Sequence, residues 1–123
     1  MKEKEQIKGV ALVMAQAAFD KKGQDISIMD LEGISLLSDY FVLVTANNVK
    51  NAQAIAEFLK AQPQVEALEG MTVLHREGYR EGEWVLLDFG DIIVHVFGGQ
   101  DYRDFYGLEQ LWSDAKYVDF EGK

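Results

Sequence analysis

Residues 84–97 read WVLLDFGDIIVHVF, two runs of branched and aromatic residues on either side of Gly90-Asp91, and nothing else in the chain restricts its folding as much. Runs of that composition form strands. A two-residue Gly-Asp link is a hairpin signal, because glycine accepts the positive φ that a tight turn between twisted strands demands. So short a link also sets the register. With Phe89 opposite Ile92, Asp88 faces Ile93, Leu87 faces Val94, Leu86 faces His95, Val85 faces Val96 and Trp84 faces Phe97. Side chains alternate along a strand, so one face of the hairpin carries Val85, Leu87, Phe89, Ile92, Val94 and Val96 and the other carries Trp84, Leu86, Asp88, Ile93, His95 and Phe97. The first set is apolar throughout and is expected against the core. The second mixes large apolar groups with an acid and a histidine, a composition suited to meeting another molecule, and these six are the candidate partner-binding residues.

The remaining chain supplies layers for that hairpin. Ile7, Val10, Ala11, Met14, Ala17 and Ala18 recur at helical spacing, and Gly23 stops the helix. Residues 25–30 alternate as a strand does, and Tyr40-Phe41-Val42-Leu43-Val44 is the continuous apolar run of a central strand covered on both faces. Asn47 or Asn48 caps a second helix running from Val49 toward Gln62, with Pro63 at its end. Met71 to His75 reads as a short strand, and 78–83, with two glycines, as a turn. After Gly98-Gly99 a last helix begins at Asp101, with Phe105, Leu108, Leu111 and Trp112 on one side. The tail, 113–123, is expected to be loose. The order α-β-β-α-(β)-β-β-α in 123 residues describes one α/β (α+β) domain, a mixed sheet of about five strands with helices packed on it.

Charge and cysteine count narrow the function. Twelve Lys+Arg against twenty-one Asp+Glu leave a net charge of -9. Each phosphate contact needs a cation to displace counterions, so direct nucleic-acid recognition is disfavoured, whereas a basic protein partner would be drawn by the complementary field. With no cysteine there is neither a disulfide framework nor a thiolate metal site, and no apolar stretch approaches membrane-spanning length. These features point to a cytoplasmic protein. Asp88, Asp91 and His95 have metal-ligating chemistry, but the two acids lie at a strand end and in a turn and do not project together, so no metal or cofactor is expected.

WVLLDFGDIIVHVF followed by RDFYGLEQLW resembles the ribosomal silencing factor, or Iojap, family. Gln24-Asp25-Ile26 with Asp30, Leu37-Ser38-Asp39-Tyr40-Phe41-Val42-Leu43 and Ala54-Ile55-Ala56 extend the similarity from about Gly23 to about Trp112, leaving out 60–83. The resemblance implies a non-catalytic protein that binds the large ribosomal subunit through its fourteenth ribosomal protein. It would block joining of the small subunit by volume, so that translation falls when nutrients are scarce. Carried onto this chain, it gives Trp84 and Phe97 as anchors, Leu86 and Ile93 as filling between them, and Asp88 and His95 as polar contacts. A homodimeric module acting in large-subunit assembly would use the same face and is the main alternative. An enzyme is the more distant one. Ser38-Asp39-Tyr40-Phe41-Val42 is similar to the strand on which nucleotidyltransferases carry two Mg²⁺-binding carboxylates, but the second acid position is Phe41, and Mg²⁺ demands oxygen. The expected shell is nucleotidyltransferase-like without its catalytic carboxylates.

Overall fold

The computed structural model describes residues 4–36, 38–61 and 73–123. In chain order the elements are α1 (Lys4–Asp20), β1 (Gln24–Asp30), β2 (Tyr40–Thr45), α2 (Val49–Lys60), β3 (His75–Glu77), β4 (Trp84–Asp88), β5 (Ile92–Phe97), α3 (Gln100–Tyr106), α4 (Leu108–Leu111) and β6 (Lys116–Val118). The strands form one mixed sheet in the order β3-β4-β5-β2-β1-β6. β2 and β5 are parallel and the other pairs antiparallel. Both central strands are buried along their whole length, which is why they read as unbroken apolar runs.

The hairpin adopts the expected register, from Trp84 opposite Phe97 to Asp88 opposite Ile93. Phe89 donates its N–H to the Ile92 carbonyl at 2.9 Å, closing a two-residue turn in which Gly90 has φ 93. Val85, Leu87, Phe89, Ile92, Val94 and Val96 all lie in the larger core. They pack beneath α1, through Ile7, Val10, Ala11, Met14, Ala15, Ala17 and Ala18, and beneath α2, through Ala52, Ile55, Ala56 and Leu59. The alanines let α1 approach the sheet closely, and each fully buried Val, Leu or Ile contributes about 1.5–3 kcal/mol. Asn48 caps α2, its side chain accepting the Asn51 N–H at 2.8 Å.

Three expectations need correction. The C-terminal helix is two short helices, because Gly107 takes a left-handed conformation (φ 56) and resets the helical phase. Leu108 is consequently buried, whereas Phe105 and Leu111, expected beside it, are 81% and 75% exposed. The tail from 113 to 123 is not loose but supplies a sixth strand, β6, pairing Ile28 with Val118, Met29 with Tyr117 and Asp30 with Lys116. Phe120 then packs on the core and Gln16 donates to the Lys123 carbonyl at 2.8 Å. The short strand expected over 71–75 is β3, His75–Glu77, while residues 71 and 72, like Pro63, lie outside the described residues.

Candidate partner-binding face

The sheet surface opposite α1 and α2 has a smaller cover. Met29, Leu31, Phe41, Leu43, Ile93, Phe97 and Leu108 form its core, with Trp84, Leu86, Tyr102, Trp112 and Ala115 packed around them. This cover divides the candidate residues. Along β4, Trp84, Leu86 and Asp88 are half-buried while Val85 and Leu87 between them have no exposed surface. Along β5, Phe97 is 0% exposed, His95 3% and Ile93 8%. The cause is position in the sheet. β5 is interior and lies under the α3–α4 cover, whereas only the three-residue β3 lies outside β4. Phe97 and His95 therefore act from beneath the surface, and the β4 residues present it.

Trp84 links the two rows. Its indole stacks on Phe97 (centroids 5.5 Å, 26° between planes), lies 4.5 Å from Tyr106, and donates its Nε1–H to His95 Nδ1 at 3.0 Å. Tyr106 in turn meets Phe105 edge-on at 5.2 Å. A continuous aromatic column thus rises from buried Phe97 through Trp84 and Tyr106 to exposed Phe105. Edge-on and offset contacts of this kind add roughly 0.5–1.5 kcal/mol per pair beyond burial. Burial pushes the His95 imidazole down to about 3, so it is neutral at physiological pH.

The acids sit toward the turn end of the hairpin. Asp88 Oδ1 accepts the Gly90 N–H at 2.8 Å, so this carboxylate shapes the turn. Ser38 Oγ lies 2.8 Å from the Tyr40 carbonyl and 2.9 Å from that of Asp91, tying the start of β2 to the same turn. Desolvation raises the Asp39 carboxyl above its ordinary range, and the nearby Asp91 charge adds to the effect. Phe41, at the position of a second nucleotidyltransferase acid, is buried edge-on to His95 (4.6 Å) and Trp112 (6.0 Å). Phe41 thus belongs to an aromatic packing site. Among the described residues no three of His, Cys, Asp and Glu gather as a metal site would require.

Arg103 is an element of this face that the hairpin alternation does not disclose. It is 2% exposed. Its guanidinium reaches both oxygens of Glu109 (Nε to Oε1 3.2 Å, one Nη to Oε2 3.1 Å), Thr45 Oγ1 (3.0 Å), Ser27 Oγ (3.3 Å) and the Asp25 carbonyl. A buried guanidinium is tolerated only when paired, and the planar fork satisfies both helices and both strands at once. This group fastens α3 and α4 to β1 and β2, and so holds Tyr106 over Trp84. The signal was present in R-D-F-Y-G-L-E, where the turn at Gly107 folds Glu109 back onto Arg103.

Comparison with known proteins agrees with this architecture. The family model described as "Ribosomal silencing factor during starvation" matches residues 4–123. The chain is similar to the ribosomal silencing factor of Bacillus subtilis, 43% identical over 114 residues that cover 93% of each protein. It is also similar, at 27% identity, to a chloroplastic Iojap protein of Zea mays, of which the match covers 46%. A crystal structure of a Chromobacterium violaceum protein, 30% identical, superposes with a TM-score of 0.77 over 99% of this chain and 95% of that one. One from Bacillus halodurans, 35% identical, gives 0.73 over 94% and 99%.

Proposed function

Because the chain belongs to the ribosomal silencing factor family, we propose that it binds the large ribosomal subunit through the fourteenth ribosomal protein and prevents the small subunit from joining, lowering translation under nutrient limitation. The single observation that supports a binding role best is the column from Phe97 to Phe105 beside half-exposed Trp84, Leu86 and Asp88. Aromatic residues dominate interface energies, and those held in place by the sheet and α3 need less ordering on association. In this reading Trp84, Leu86 and Asp88 are the contact residues, with Ile93, His95 and Phe97 supporting them from the neighbouring strand. The net charge of -9 favours a basic protein surface and disfavours a purely RNA contact.

The action requires no chemistry. A domain seated on an intersubunit contact excludes the other subunit by volume, to the extent that its own binding free energy allows. The protein works in the cytoplasm on this account. The experiment is equilibrium binding of the labelled full chain to separated subunits at physiological salt. Saturable binding to large subunits alone, matched by binding to the isolated fourteenth ribosomal protein, is the expected result. Equal affinity for small subunits would refute the proposal, and a chain that only pairs with itself would favour the homodimeric alternative.

A further inference from the structure

The His95 imidazole sits on the partner side of the sheet yet is withdrawn from solvent. Phe41 meets it edge-on at 4.6 Å, Leu43 is beside it on the parallel neighbour, and Leu86 is opposite on the antiparallel one. Nδ1 accepts the Trp84 indole N–H, so the ring proton resides on Nε2. Nε2 is buried and has no hydrogen-bond partner among the described residues. A stranded N–H in apolar surroundings lowers stability relative to a well-packed apolar side chain, and groups of this kind are rare in folded proteins. The compensating feature lies on the other nitrogen. Stacking on Phe97 and the tilted contact with Tyr106 confine the indole but are not directional, whereas a hydrogen bond from Nε1 fixes its rotamer.

We propose that His95 is a positioning residue for the partner surface, its Nδ1 fixing the Trp84 indole in the orientation in which its exposed edge meets the partner. The inference rests on the reading that this face binds the large subunit. A side chain ordered before association need not be ordered by it, and for one large side chain that difference corresponds to about two- to twelvefold in affinity.

The test separates orientation from stability. Trp112→Phe leaves Trp84 as the single indole. In that background His95→Leu removes both the acceptor and the stranded N–H, and His95→Asn retains an acceptor near the Nδ1 position. His95→Leu is expected to melt no lower than its parent, to give the Trp84 anisotropy decay a new fast component, and to bind large subunits about fivefold more weakly. His95→Asn should restore part of the indole order and of the affinity. In the parent, the Trp84 indole proton should exchange slowly with solvent, a measurement that needs no His95 variant to fold. An unchanged anisotropy decay in His95→Leu, or rapid indole exchange in the parent, overturns the proposal. A parent protein that fails to bind large subunits refutes the proposed function instead, while the anisotropy and exchange still decide whether His95 fixes the ring.

Discussion

Replacing Arg103 by Met should detach the α3–α4 cover from the sheet, and the size of the effect follows from what the guanidinium leaves behind. Breaking a buried ion pair by removing one partner destabilises by roughly 3–5 kcal/mol when the other charge stays desolvated. Here the Glu109 side chain is 34% exposed and regains water, which moves the figure downward. Thr45, 4% exposed, keeps only a 3.5 Å contact from its hydroxyl to Gln100 Oε1. Ser27 and the Asp25 carbonyl lie in β1 with solvent access, while Met restores most of the buried aliphatic volume. The net loss is about 2–4 kcal/mol. For a chain of this size that lowers the melting temperature by roughly 8–15 °C. Thermal melts followed by circular dichroism measure it, and Trp84 emission should shift to the red before the main transition as Tyr106 leaves the indole. Arg103→Lys should recover less than half of the loss, since one ammonium cannot span Glu109 and both strands. A melting temperature within a few degrees of the parent for Arg103→Met would refute the role assigned to this residue.

Val94→Ala, at a position with no exposed surface beneath α1 and α2, should lose about 1–3 kcal/mol in urea unfolding and bind normally per folded molecule. Because the folded imidazole of His95 is held to about 3, below the ordinary 6.5, the unfolded chain binds a proton between those values that the native chain does not. Stability should therefore fall as pH is lowered through 6.5 toward 3, and between pH 7 and pH 5 the parent should lose about 2 kcal/mol more than His95→Leu; equal losses would contradict the buried neutral imidazole. Phe105→Ser, at the exposed end of the column, should change stability by less than roughly 0.5 kcal/mol while weakening large-subunit binding by about 1–2 kcal/mol. Full affinity in that variant would confine the contact to β4.

Local rules made the hairpin legible. Gly90 and the alternation on either side of it determine the register from Trp84–Phe97 inward, and the unbroken apolar run at Tyr40 marks a central strand. What the alternation could not reveal was the division of the second face, because His95 is covered by Phe41 and Trp84, and Phe97 by Trp84 and Tyr106, through contacts between separate elements. That cover depends on Gly107, whose left-handed conformation breaks one apparent amphipathic helix into two and turns Phe105 and Leu111 outward. The charged residue inside the cover is legible only in part, since Glu109 is near Arg103 in the chain but the other partners of Arg103 lie 58 to 78 positions away. β6 is hidden for a related reason: three residues, Lys116-Tyr117-Val118, carry too little alternation to announce a strand that covers the edge β1 would otherwise leave open.

If this face keeps the ribosomal subunits apart, the effect is visible in light scattering during subunit joining. Purified large subunits are incubated with increasing amounts of the chain, small subunits are added, and the joined fraction is read at equilibrium. A saturable fall in that fraction is expected with the parent protein and little fall at the same concentrations with Leu86→Glu, which places a charge on the half-exposed centre of β4 without disturbing the opposite core face. Unchanged joining at saturating parent protein, or equal inhibition by Leu86→Glu, would contradict it.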